Sequence, residues 1–261
     1  MTNEAILLVG RKAPHAREVY ETHADRLGSR ASVGGVHVAT YENEPVRELR
    51  ETFAEIEGDR VYAVPMTTAH TFDTTDGVPA ALSYVPGEVR YCEPVGRSPA
   101  VTDVLVQRAS EALRADDDVS LVLVGFGSSS KPYQRQTTEY HAARLSDQSD
   151  YGEVLTCYLL QNPTVECVRY NTSNSRTVAV PLFLTRSEAT TEEIPAKLEL
   201  ERGGIEYAEP LGDHARVTDA IHAEVEKQRV LATSEDSPAS FETRLTRNRR
   251  PVATDGEGVR R

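Results

Sequence analysis

Apolar residues along the chain fall into short runs separated by amphipathic stretches. A β-branched run at 5–10 is followed by an amphipathic stretch at about 14–28, then by a second run at 36–41. A helix opening at Pro45 in "EPVRELRETFAEI" comes next, and a third run (61–66) leads into "TTDGVPAAL". A short fourth run (88–92) and a last stretch at about 99–114 complete the series. The order then recurs, with runs at 120–125, 153–159, 177–184 and 205–208. Between and after them stand amphipathic stretches at about 132–147 and 214–228, a helix opening at Pro163 in "NPTVECVRY", and "TTEEIPAKL". Proline in a first helical turn sacrifices no bond, because that N–H has no intrahelical partner. Strand-like runs alternating with helical stretches predict βαβ units and parallel sheets. The expected fold class is α/β, as two tandem doubly wound, flavodoxin-like domains.

The recurrence is visible residue by residue. "VPMTTAHTFDTTDGVPAAL" (64–82) and "VPLFLTRSEATTEEIPAKL" (180–198) share seven of nineteen positions at an offset of 116. "YCEPVGRSPAVTD" (91–103) and "YAEPLGDHARVTD" (207–219) share seven of thirteen at the same offset. A period of this length is a domain rather than a solenoid repeat. The expected organisation is a first domain at 1–115, the acidic linker "RADDDVS", a second domain at 119–230, and a tail at 231–261. Rich in Ser, Thr, Gly and Pro, with six arginines from Arg244 to Arg261, the tail cannot bury enough apolar surface to offset its ordering entropy and is expected to be mobile.

Composition narrows the function classes. The formal charge is −12, which argues against a nucleic-acid footprint. Only Lys12, Lys131, Lys197 and Lys227 accompany the many arginines, a balance expected of a protein made in high salt. Cys92, Cys157 and Cys167 form no disulfide framework or zinc spacing, and are expected to be small buried hydrophobes in a reducing compartment. No run reaches the ~18 apolar residues of a membrane span, and "MTNEAILLVGRK" lacks a signal-peptide layout. A cytoplasmic protein with no membrane partner is expected.

Ligands of open parallel sheets bind beyond the carboxyl ends of the strands. There the second half carries "GFGSSSKP" (125–132), where Gly125, Gly127, Ser128 and Ser129 are candidate binders of carboxylate or phosphate. The first half carries "GRKAPH", with Arg11 as a candidate for an acidic ligand. Glu42 and Glu44 follow the second run, as possible metal or proton acceptors, with Glu44 alternatively capping the helix at Pro45. Thr190 to Glu193 fits a capping box, and Asp73 and Asp76 could do the same work in the first half. Capping leaves His70 unexplained, so it stands as a candidate base or metal ligand. His23 and His141 occupy equivalent helix positions and read as packing or surface residues, and His214 reads as structural.

"VPLFLTRSEATTEEIP", "YAEPLGDHARVTDAI" and "LVLVGFGSSS", with "YENEPV" in the first half, resemble the CbiX/SirB group of class II tetrapyrrole chelatases. The resemblance spans about 4–228 and implies a long, two-domain chelatase-like protein inserting a divalent metal into sirohydrochlorin. The metal is a substrate, Co2+ foremost with Fe2+ or Ni2+ as alternatives, and no organic cofactor is implied. A homo- or hetero-oligomer fits the same picture. The family's first histidine falls at Arg11 and Phe126, and its second at Asp73 and Ala189. The expected site is therefore Glu42, Glu44 and His70 for catalysis, with His70, Glu42 and Asp73 toward the metal. A noncatalytic paralogue, binding a tetrapyrrole or pairing with another chelatase, is the alternative. A flavodoxin or sugar-binding module would need phosphate or aromatic motifs that are missing.

Overall fold

The computed structural model describes residues 3–233. In the first half β1 (Glu4–Arg11) leads to α1 (Ala16–Arg30), β2 (Gly35–Tyr41), and two short helices, α2 (Pro45–Glu48) and α3 (Arg50–Ala54). Next come β3 (Arg60–Pro65), a wide π-type turn at Asp73–Gly77 running into α4 (Val78–Ala81), β4 (Glu88–Tyr91) and α5 (Ala100–Ala112). The second half repeats the series: β5 (Val119–Gly125), α6 (Tyr133–Gln148), β6 (Glu153–Tyr158), α7 (Val168–Asn171) and β7 (Arg176–Pro181). A π-type turn at Ala189–Glu193 then enters α8 (Ile194–Leu198), followed by β8 (Ile205–Tyr207) and α9 (Ala215–Thr233). Each half forms a parallel four-stranded sheet, ordered β2-β1-β3-β4 and β6-β5-β7-β8.

Both faces of each sheet are covered, which is why the central strands read as unbroken apolar runs. Ile6 and Leu8 point one way while Leu7 and Val9 point the other, as a pleated strand requires. The inward set of both sheets shares one core with Leu27 of α1, Leu105 of α5, Leu145 of α6 and Ile221 of α9. Smaller outer cores lie under Phe53 and Val78 in the first half and under Val165 and Ile194 in the second. The final helix of each half reaches the other half's sheet, α5 packing on β7 and α9 on β3. The two repeats are therefore joined through a common interior.

Two histidines mark that junction with local symmetry. His23 on α1 places Nδ1 2.8 Å from Thr218 Oγ1 and Nε2 3.2 Å from the Gly212 carbonyl. His141 on α6 places Nδ1 2.9 Å from Thr102 Oγ1 and Nε2 2.7 Å from the Gly96 carbonyl. Thr102 and Thr218, like Gly96 and Gly212, are repeat equivalents. Both rings are fully buried, so these residues are packing elements between the halves.

Several local expectations change. Pro163 follows a cis peptide and precedes its helix: its carbonyl accepts the Tyr158 N–H at 2.9 Å, prolonging the strand pairing. The run at 177–184 stops as a strand at Pro181. The capping lies three residues upstream of the expected Thr190–Glu193 box: Thr71 and Thr74 cap each other reciprocally, Thr71 Oγ1 accepting the Thr74 N–H at 3.3 Å, and Thr190 reaches back to Ser187. Thr74 Oγ1 accepts the Thr71 N–H, and Thr190 Oγ1 accepts the Ser187 N–H, each at 2.8 Å. Glu44 precedes α2 but makes no side-chain cap; Glu48 does so instead, accepting the amides of Glu42, Asn43 and Glu44 at 2.7–2.9 Å. Those three donors hold the part-exposed Glu48 carboxyl down at about 2. Glu48→Ala is expected to lower the thermal midpoint more than Glu51→Ala on the same surface, measured by circular dichroism at pH 7. Cys92 and Cys157 are buried as expected, while Cys167 is exposed. Helix α9 extends to Thr233, three residues into the expected tail, and the rest of the tail lies outside the described residues.

Candidate active site at the strand ends

The carboxyl ends of β1 to β4 carry most of the residues singled out from the sequence. Arg11 closes β1 and pairs with Asp73, Nε to Oδ2 3.3 Å, at the start of the π-type turn. Tyr41, buried at the end of β2, lies beside them; burial pushes its phenol well up, and the Asp73 carboxylate adds to the rise. Glu42 and Glu44 are exposed just past β2, with Glu44 3.5 Å from Arg47. Asp73 and Glu44 each face a guanidinium, but Asp73 is largely covered, which leaves Glu42 and Glu44 as the more exposed carboxylates.

His70 sits elsewhere on this face. Its ring is 5% exposed, with Nε2 3.3 Å from Glu93 Oε2 and Nδ1 3.3 Å from Thr74 Oγ1. Glu93 was not singled out from the sequence; it lies in the "CEP" segment after β4, and only the fold brings it to His70. Arg97 binds the same carboxylate oxygen at 2.6 Å. The His70 bond and then the Arg97 charge, against opposing desolvation, hold the Glu93 carboxyl at about 2. The loops bearing the pair are fastened together at Gly96, whose N–H donates to the Thr67 carbonyl at 3.1 Å. A Cβ there would come within 2.2 Å of the Thr68 backbone, so only glycine permits the approach.

Among the described residues, no three His, Cys, Asp or Glu side chains converge as a metal cluster. The expected set of His70, Glu42 and Asp73 is not assembled, because His70 is bound to Glu93 and Thr74, and Asp73 to Arg11.

The second half contributes to the same face through the loop after β5. Lys131 Nζ reaches Thr75 Oγ1 at 3.0 Å, stands 3.8 Å from Asp76, and lies 5.5 Å from the centre of the Phe72 ring. Tyr133 meets the His70 ring edge-on, with centroids 5.7 Å apart. The amide cradle expected in "GFGSSS" is largely filled from within. Gln161 accepts the Ser128 N–H at 2.8 Å, and Ser128 Oγ accepts from Ser130 and Lys131 at 3.3 and 3.2 Å. Gly127, at φ +80°, makes the tight turn, and Gly125 closes β5 against Tyr158. Ser129 and Lys131 remain the polar groups of the loop suited to an external carboxylate. At the second half's own strand ends stand Phe126 and Phe183, edge-to-face at 6.2 Å, with exposed Leu160.

Both halves match the CbiX family model, at residues 5–112 and 120–228. The chain belongs to the CbiX family. It is similar to the probable sirohydrochlorin cobaltochelatase of Halobacterium salinarum, 27% identical over 222 residues, or 74% of this chain and 75% of that protein. The sirohydrochlorin cobaltochelatase of Methanopyrus kandleri is 27% identical over 138 residues, 96% of its own length but 42% of this chain. SirB from Bacillus subtilis, solved with Fe3+, shares the CbiX-type fold at a TM-score of 0.69 and 18% identity, covering 88% of this chain and 97% of that one. Among the described residues no helix is long and apolar enough to cross a membrane.

Proposed function

We propose that the chain is a sirohydrochlorin chelatase that inserts a divalent metal, with Co2+ preferred, into the macrocycle. The CbiX match repeated in both halves carries the reading. Insertion takes in one dication and releases two pyrrole N–H protons, so the total charge is conserved. The protein must steer the dication, anchor the macrocycle's carboxylates, and accept a proton. Glu42 and Glu44, open at the end of β2, are placed to attract the hydrated metal. Arg11, Lys131 and Ser129 offer charge-assisted or hydroxyl donors to the carboxylates.

His70 and Glu93 are the proton acceptor in this reading. With the Thr74 hydroxyl donating to the Thr71 carbonyl, the His70 Nδ1–H can donate to Thr74 Oγ1. In that tautomer Nε2 is the basic nitrogen, and taking up a proton turns its 3.3 Å contact with the Glu93 carboxylate into an N–H···O bond. The acidic, lysine-poor composition and the free cysteines favour a cytoplasmic, high-salt setting for the reaction.

The test is to mix the protein with sirohydrochlorin and Co2+ in high salt and follow macrocycle absorbance against a protein-free control. Acceleration over the control is expected, and a larger effect with Co2+ than with Fe2+ or Ni2+. Insertion no faster than the control overturns the reading, and a spectral shift without metal would then assign the chain a binding role.

A further inference from the structure

Two cavities lie at repeat-equivalent places between the halves, and their chemistry differs. The pairing of His23 with His141 aligns α1 with α6, which matches His15 with Tyr133, Glu18 with Gln136 and Val19 with Thr137. At the 116-residue offset Arg97 becomes Asp213 and Glu93 becomes Glu209. Arg97, Pro99, Tyr133, Gln136, Thr137 and Tyr140 line the first cavity, of about 310 Å³. The second, of about 370 Å³, is lined at the matching positions by His15, Glu18, Val19 and Asp213, with Arg186 and Glu209 beside them.

The first cavity suits an anion. Its one charged lining residue is Arg97, which engages Glu93 through Nη1 alone, and Glu93 stands outside the wall. Tyr133, Gln136 and Thr137 belong to the opening turns of α6, whose first turn holds no acidic residue, so the positive end of the helix dipole is unopposed there. Thr137 is only 4% exposed, and its hydroxyl has no hydrogen-bond partner among the described residues. The next hydroxyl, of Thr138, instead donates back to the Gln134 carbonyl at 2.8 Å. Gln136 and Tyr140, exposed at the mouth, add further donors.

The second cavity has lost each of these features. Glu18 stands in the first turn of α1, and Val19 brings no hydroxyl. Asp213 replaces the guanidinium of Arg97. Arg186 is bound to Glu209 by two parallel bonds, Nε to Oε2 at 2.9 Å and Nη2 to Oε1 at 2.7 Å, and Arg108 faces Glu111 at 3.0 Å. Every guanidinium there has its own carboxylate, and Glu18 and Asp213 would repel an incoming anion.

Position selects the anion. Tyr133, one wall of the first cavity, meets the His70 ring edge-on at 5.7 Å, so the cavity adjoins the strand-end face. Its volume takes a short carboxylate-bearing arm together with a few waters. We propose that this cavity binds one carboxylate arm of the tetrapyrrole, with Thr137 and Gln136 as its specificity-determining donors, and that its counterpart in the second half binds none. A single anchored arm would fix how the macrocycle is turned over the face. The inference rests on the chelatase reading and adds to it a substrate subsite.

The test titrates the full chain with metal-free sirohydrochlorin and follows macrocycle absorbance. Thr137→Val and Gln136→Glu each put a feature of the second cavity into the first, the former without changing shape. Each should raise Kd by about tenfold, as loss of a hydrogen bond to a charged group does. In the insertion assay KM should rise with kcat little changed, because the arm is held equally before and during insertion. Thr137→Ser, which keeps the hydroxyl, should retain most of the affinity. Gln134→Glu, the same charge change on α6 outside the cavity, and Glu18→Gln in the counterpart should leave Kd within about twofold. Circular dichroism checks that each variant is folded. An unchanged Kd in folded Thr137→Val and Gln136→Glu, or an equal loss in Gln134→Glu, overturns the subsite and leaves the chelatase reading standing. An unsubstituted chain that binds the macrocycle without inserting metal overturns the chelatase reading, and the same titrations still decide the subsite. A chain that binds no macrocycle overturns both.

Discussion

His70→Ala should slow metal insertion by about a hundredfold, within the range that loss of a general base produces. The substitution removes the nitrogen facing Glu93 and leaves that carboxylate with Arg97, to which it is already bound at 2.6 Å. Because the Glu93–Arg97 pair persists, the variant should fold, and the loss should fall on kcat. His70→Gln makes the comparison stricter, since it restores hydrogen-bonding capacity beside Thr74 and Glu93 without a titrating group. It should be about as slow as the alanine variant. Either variant retaining the unsubstituted rate in a stopped-flow absorbance assay would remove His70 from the mechanism.

Mild acid should weaken the junction between the halves before it protonates most carboxylates. Burial pushes His23 and His141 each from 6.5 down to about 4, the Gly212 and Gly96 carbonyls opposing the shift. Around His23, Arg26 and His214 lower the value further and Asp213 raises it; around His141, Arg144 lowers it. The unfolded chain takes up protons at these residues below 6.5, while the folded chain does not until about 4. Their contribution to stability is therefore complete above 6.5 and is lost as the pH falls toward 4. Each ring accounts for about 3 kcal/mol across that window, so together they represent a large share of an ordinary folding free energy. Urea unfolding at pH 7 and pH 4.5 should show the decrease. A His23→Gln/His141→Gln chain, less stable at pH 7, should lose much of the pH dependence. An unchanged slope of stability against pH in that double variant would contradict the assignment.

The architecture was legible because a doubly wound sheet leaves two signals in one chain: central strands buried on both faces, and amphipathic helices between them. The duplication added a second reading of every element. Short-range detail was harder to read. Pro45 opens a helix whereas Pro163 does not, although "NEPV" and "QNPT" look alike; the difference lies in a backbone arrangement that pairs Pro163 with Tyr158. Thr74 and Thr190 take the third helical position of a cap whose first residue is Thr71 or Ser187, three residues before the expected start.

The site was legible in part. His70 stood out because its counterpart is arginine, and that exchange survives as a difference in chemistry. Glu93 did not stand out, because a glutamate occurs in both copies and only the fold reveals that its partner differs. Equally hidden was the internal saturation of the "GFGSSS" amides, which depends on Gln161 from a neighbouring strand end. The family resemblance put Asp73 toward the metal, and the 3.3 Å pair it makes with Arg11 across adjacent strand ends could not be read from the sequence. In each case the decisive contact joins segments far apart in the chain.

The central claim is that the chain inserts metal and does so at the His70 face of the first half. Its most direct test compares initial rates of Co2+ insertion into sirohydrochlorin for the unsubstituted chain, His70→Ala and Arg186→Ala, in high salt against a protein-free control. The account predicts a rate well above the control for the first, near the control for the second, and unchanged in the third. An unsubstituted chain no faster than the control, or a loss in Arg186→Ala equal to that in His70→Ala, would contradict it.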